Sequence, residues 1–199
     1  MALLKSTSRR PAARAAWRIW CACLLAAALP AAHPAEPAPA VKISPEYAYK
    51  AGLLAKLDQF VEWPARAFHD AQSPLVIGVL GEDPFGSYLD ELVQGEKVGE
   101  RSIVVRRFRR GAEVADCHIL FISRSEAGQF DKIISALAGH SVLTVGDDEG
   151  FERAGGMVRF VIENNKVRLH IDDNAAKAVE LTISSKLLRL ATLVTREKG

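Results

Sequence analysis

Three short polar runs carry the side chains best placed to do chemistry, and each follows an apolar stretch. Gly81-Glu82-Asp83 follows Leu75–Leu80, Ser123-Arg124-Ser125 follows His118–Ile122, and Gly146-Asp147-Asp148 follows Ser141–Val145. Near-continuous apolar runs of this kind read as strands buried on both faces. Ligands of open α/β sheets sit beyond the carboxyl ends of such strands. Glu82, Asp83, Ser123, Arg124 and Asp147 are therefore the candidate ligand-binding residues, a guanidinium, a hydroxyl and carboxylates suited to a small polar molecule. Binding fits this set better than catalysis. The chain has no Gly-x-Ser-x-Gly elbow, no Walker sequence and no spaced glycines of a dinucleotide site. No nucleophile, base and orienting group stand together, so no catalytic residue and no enzyme activity are expected. Asp147-Asp148-Glu149 has the charge to hold a metal, but without clustered histidine it reads as the acidic start of a helix. No metal or cofactor is expected.

Other residues invite a functional reading beside a plainer one. His69, His118, His140 and His170 are scattered, as surface or internally satisfied histidines are. Arg106, Arg107, Arg109 and Arg110 can bind an anion, or can solvate an edge strand and block pairing with another sheet. Trp63 is either a large apolar plug under the sheet or, with Glu62, an exposed element for a partner. Phe151 and Met157 are further candidates for an apolar partner patch, since interfaces concentrate such residues.

The first forty residues stand apart. Lys5, Arg9, Arg10, Arg14 and Arg18 precede an apolar run from Ile19 to Leu29, and an Ala/Pro-rich stretch follows. That pattern is a Sec-type secretory signal peptide with its linker, cleaved between Ala31 and Ala40. The apolar run is short for a membrane span, so no membrane insertion is expected after cleavage. This segment holds five of the 26 basic residues and one of the 24 acidic ones. Residues 41–199 are left with 21 and 23, a net charge of −2, which does not point to nucleic acid. Cys21 and Cys23 leave with the signal, so Cys117 is the one cysteine of the exported protein. It is a small core residue, a redox-sensitive thiol or half of an intermolecular disulfide.

The elements that must position these residues form one domain over residues 41–199. Pro45, capped by Ser44, opens a helix running to about Val61, which Pro64 stops. A second helix follows Asp83-Pro84, a third starts at Ser125 and carries Phe130, Ile133 and Ile134, and strands lie at 75–80, 102–108, 118–123 and 141–145. Two period-2 runs, 155–162 and 167–171, are joined at Asn164-Asn165, residues that tolerate the positive φ of a tight turn. Helices over 172–179 and 183–193 close the chain. The expected fold is α/β, a single three-layer domain with a mostly parallel sheet, a C-terminal antiparallel β-hairpin and helices on both faces.

Several runs together resemble one family. They are Phe60-Val61-Glu62-Trp63-Pro64, Ile77 to Phe85, Cys117-His118-Ile119-Leu120-Phe121-Ile122, Leu143-Thr144-Val145, Gly155 to Phe160, Asn165-Lys166-Val167-Arg168 and Ile183 to Ala191. In order and spacing these resemble the YfiR-like (HmsC-like) periplasmic regulators. The resemblance implies a periplasmic protein that binds the periplasmic domain of an inner-membrane diguanylate cyclase and represses it. Cyclic di-GMP then falls, which restrains exopolysaccharide production and biofilm formation. It also implies a compact α/β fold that can form a homodimer. The repressor type carries extra disulfide-forming cysteines, which this chain lacks, and Asp172 stands where the family has Asn. The alternative is a periplasmic small-molecule-binding module, resembling half a solute receptor, that signals to a membrane sensor or transporter.

Overall fold

The computed structural model describes residues 43–109 and 114–195, all within one compact unit, Val41–Gly199. The expected signal peptide, Cys21, Cys23 and Arg110 lie outside the described residues. Among these residues no helix is long and apolar enough to cross a membrane.

The centre is a parallel sheet built from the apolar runs. β2 (Leu75–Leu80), β5 (Ile119–Ile122) and β6 (Leu143–Gly146) lie side by side, each buried along its whole length. β4 (Arg101–Phe108) adds parallel to β2, and the two-residue β3 (Lys97–Val98) pairs antiparallel to its start. On the other side β7 (Val158–Glu163) continues the parallel order, and β8 (Lys166–Ile171) returns antiparallel through the Asn164-Asn165 turn. Both turn residues have positive φ, 49° and 60°, as a type I′ hairpin requires.

Helices cover both faces, as the three-layer expectation holds. α1 (Pro45–Leu54), α2 (Ser87–Val93), α5 (Asp173–Ala178) and α6 (Ser185–Leu188) bury Leu54, Leu89, Ala176 and Leu187 against Ile77, Phe121, Val145, Phe160 and Ile171. α3 (Phe130–Ala136) and α4 (Glu149–Arg153) bury Phe130, Ile133 and Phe151 against Leu80, Leu120 and Ile122 on the opposite face. Odd and even strand positions thus feed two separate cores.

Two expected helices are broken by strand pairing. α1 ends at Leu54 rather than Val61, because Val61–Glu62 (β1) pairs antiparallel with Thr182–Ile183 (β9) and Ser184 N–H donates to Phe60 O at 2.7 Å. The same pairing, and that of Thr192–Leu193 (β10) with β8, divides the expected 183–193 helix and leaves only α6. Helical periodicity is a weak prior that tertiary pairing overrides. β10, parallel to β8, and not the hairpin, is the outer edge of the sheet. Ser125 does not cap α3. Ser123 caps the 3-10 turn that leads to it, and Ser125 Oγ accepts from Glu82 N–H at 2.9 Å. Asp172 caps α5, its Oδ1 accepting from Ala175 N–H at 3.0 Å, a bond that Asn makes equally well.

Candidate functional site

The five expected ligand residues do gather at the carboxyl end of the sheet, where the side chains of Asp83, Ser123, Arg124 and Asp147 bond within the protein and Glu82 is exposed. Asp147 follows β6 and its side chain is 1% exposed. Its Oδ2 accepts from Lys50 Nζ at 2.6 Å and from Tyr47 Oη at 3.0 Å, and its Oδ1 accepts from Arg124 Nε at 3.1 Å. Lys50, fully buried on α1, also donates to Glu46 Oε1 at 2.5 Å. Two cations thus face two carboxylates, and the network pins the first turns of α1 over the end of β6. Asp83 Oδ1 accepts from Phe85 N–H and its Oδ2 from Arg107 Nε, while Ser123 serves as a cap. Four of the five side chains expected to hold a ligand are thus engaged within the fold.

What remains open beside this network is a cleft of about 490 Å³ between the first turns of α1 and the hairpin tip. Tyr49 and Ile162 are exposed there, at 57% and 48%, beside Val167, Glu46, Lys166 and Arg168. The register explains the exposure of Ile162. Rungs Val158↔Ile171 and Phe160↔Leu169 lie on one hairpin face and are buried. Ile162↔Val167 is the third rung, but β6 ends at Gly146, opposite Arg159, so the hairpin projects past its neighbour. An apolar residue in the inward register is left uncovered. Neither Ile162 nor Tyr49 is among the residues that the sequence singles out. The only available signal for Tyr49 was its place off the stripe of Tyr47, Leu54 and Leu57.

Four other expectations meet a packing constraint. Phe151 is fully buried and Met157 is 8% exposed, so neither presents a side chain to a partner. Trp63 is half-buried, and its Nε1 donates to His118 O at 3.2 Å, so the indole is engaged inside the chain. Glu62 next to it is exposed. Cys117 is buried, and burial pushes its thiol up to about 12. It stays protonated at neutral pH, and a disulfide between chains needs this sulfur at the surface.

His118 is a satisfied core histidine. Val76 N–H donates to Nδ1 at 3.0 Å, which leaves the proton on Nε2, and Nε2–H donates to Ala67 O at 3.1 Å. Phe68 stacks on the imidazole at 4.3 Å and Arg101 lies over Phe68 at 3.9 Å. Burial, helped by the nearby Arg101 charge, pushes the His118 pKa from 6.5 down to about 4. Between those values the unfolded chain holds a proton that the folded chain does not, so acidification favours unfolding. The shift corresponds to about 3 kcal/mol lost across this window. Burial alone raises the Asp147 pKa, but hydrogen bonds from Lys50 and Arg124 outweigh it and hold the carboxyl below its ordinary value. Its contribution is present above the unfolded carboxylate range and is lost as pH falls through it. The urea midpoint is therefore expected to drop steadily from pH 6.5 to pH 4 and further below. A flat profile across that window contradicts a His118 held neutral in the folded chain.

The family model for YfiR/HmsC-like proteins matches residues 47–192. The chain belongs to the YfiR/HmsC-like family. No curated protein matches it in sequence. Among solved structures, the ABC domain from Streptococcus pneumonia in complex with L-Trp is similar at a TM-score of 0.51 and 13% identity, over 73% of this chain and 60% of that one. A conserved domain protein from Vibrio cholerae follows at 0.49 and 13%, over 74% and 60%. This YfiR/HmsC-like chain thus matches only about 60% of the length of either structure. At such identity the first likeness shows the α/β fold alone.

The geometry also says what the YfiR/HmsC-like signature runs do. Trp63 of the first run bonds the His118 carbonyl of another, and Val61 pairs with Ile183 of the last. Three runs far apart in sequence meet in one joint. In this YfiR/HmsC-like domain these three runs form a structural seam.

Proposed function

We propose that the protein is a periplasmic regulator that binds the periplasmic domain of an inner-membrane diguanylate cyclase and represses it, lowering cyclic di-GMP and restraining biofilm formation. Family membership over residues 47–192 supports the regulatory reading, and the N-terminal signal pattern supports export. The observation that carries a binding role is the uncovered Tyr49–Ile162–Val167 surface between α1 and the hairpin tip. It pairs an apolar centre with a charged rim of Glu46, Lys166 and Arg168, the anatomy of a protein interface. The small-molecule reading has less support, because Asp147 is buried and already accepts from Lys50, Tyr47 and Arg124.

Ile162→Glu and Tyr49→Glu place charge on exposed positions, so the melting temperature is expected to change little. Repression is expected to fall, because an unpaired charge at the centre of an interface is costly to desolvate. Cyclic di-GMP in cells carrying either variant should approach the level of cells lacking the protein. Full repression by both variants would move the interface elsewhere.

A further inference from the structure

The arginine cluster of the sequence is divided by the sheet. Arg107 points to one face, where Asp83, Asp90 and the Gly86 carbonyl engage its guanidinium. Arg106, one residue earlier, lies on the other face and lines a cleft of about 270 Å³ at the amino ends of β2, β5 and β6, opposite the end that carries Tyr49 and Ile162. Strand neighbour Gly78 makes room for the Cys117 side chain at this corner, since a Cβ there would lie 2.5 Å from Cys117 Sγ.

The lining is rich in hydrogen-bond donors. His69, His140 and Arg106 are exposed lining residues, and the half-buried Ser141 lines the cleft with them. Ser141 Oγ is buried and has no hydrogen-bond partner among the described residues. Arg66 also lines the cleft but is paired with Glu180 at 2.8 Å. Asp116 is the one carboxylate among the described lining residues, and no ion pair joins it or Arg106 to another described residue. The floor histidine, His118, is not available, because both of its ring nitrogens are bonded to backbone. Among the described residues no group of His, Cys, Asp and Glu is arranged to hold a metal ion, so the imidazoles here are not a metal site.

We propose that this cleft binds a small oxyanion, a carboxylate or phosphate, with Arg106 supplying the charge and His69, His140 and the Ser141 hydroxyl supplying further hydrogen bonds. A guanidinium with neighbouring N–H and O–H donors is the arrangement that recognises such groups, and charge-assisted bonds to it are the strong ones. The volume admits an inorganic anion or a short carboxylic acid and excludes a large ligand. Occupancy would tie the 65–74 loop to the strand ends and raise the melting temperature by mass action.

Phosphate and succinate are titrated separately into the exported protein by calorimetry, with sodium chloride at matched ionic strength as the control, and the melt is followed in parallel. A saturable one-site isotherm with either anion is expected, and the anion that binds identifies the source of the oxyanion. Arg106→Gln should weaken it about tenfold or more, as the loss of a charge-assisted bond does. His140→Gln, at another exposed position, should weaken it less, and Arg168→Gln in the opposite cleft should leave it unchanged. No saturable binding of either anion, or binding that survives Arg106→Gln, overturns the proposal. Neither result bears on the regulator reading, which concerns the other end of the sheet.

Discussion

Lys50→Met is expected to destabilise the domain by about 3 kcal/mol, the low end of the cost of removing one partner from a buried ion pair. Lys50 is fully buried between Glu46 and Asp147. Methionine fills much of the same space, so the loss is electrostatic more than steric. Asp147 would remain desolvated, with Arg124 and Tyr47 as its only partners. The measurement is a urea titration at pH 7, where the midpoint should fall with the slope unchanged. Adding Asp147→Asn removes the stranded charge and should recover a large part of the loss, so the double-mutant cycle gives a coupling energy clearly different from zero. Equal and additive losses would mean that the two charges do not depend on each other. The pair also fixes α1 over the end of β6, and α1 forms one side of the cleft with the hairpin, so Lys50→Met should weaken repression through a loosened cleft, whereas Ile162→Glu should weaken it without a stability change.

Gly156→Ala is expected to cost about 3 kcal/mol, and Gly155→Ala less, although the two residues are adjacent. The reasons differ. A Cβ on Gly156 would lie 2.1 Å from Phe151 Cε1, inside a fully buried ring that is itself packed edge-on against Phe130 at 5.6 Å. Neither ring has room to retreat, and overpacking of this kind costs about 1–3 kcal/mol or more. Gly155 has φ of 96°, so alanine there meets backbone strain of about 1–2 kcal/mol. Phe151→Leu should partly rescue Gly156→Ala and should not rescue Gly155→Ala. Thermal melts of the four variants decide this. Rescue of both, or of neither, would show that Phe151 is not what Gly156 accommodates.

The layers of this fold were legible in the sequence, because the apolar runs of β2, β5 and β6 and the alternation of β7 and β8 are local patterns. The Asn164-Asn165 turn was legible for the same reason. The ends of α1 and the partition of residues 183–193 were not, since β1–β9 and β10–β8 pair residues distant in sequence and no local pattern announces them. Lys50 gave no signal either. A lysine four residues after Glu46 reads as a surface helix pair, and only Asp147, brought in from β6, makes it a buried one. Arg124 and Asp147 read as ligand residues in the sequence, whereas in the fold they bond each other and Asp147 also accepts from Lys50 and Tyr47. Ile162 shows the limit from the other side: its register is that of the core, and the shortness of β6 decides its exposure.

The regulator reading makes one demand above all. Deleting the gene should raise cellular cyclic di-GMP. Wild-type protein supplied in trans should return it to the starting level, and Ile162→Glu should not, although it accumulates to the same amount. Cyclic di-GMP that does not change on deletion would contradict the account.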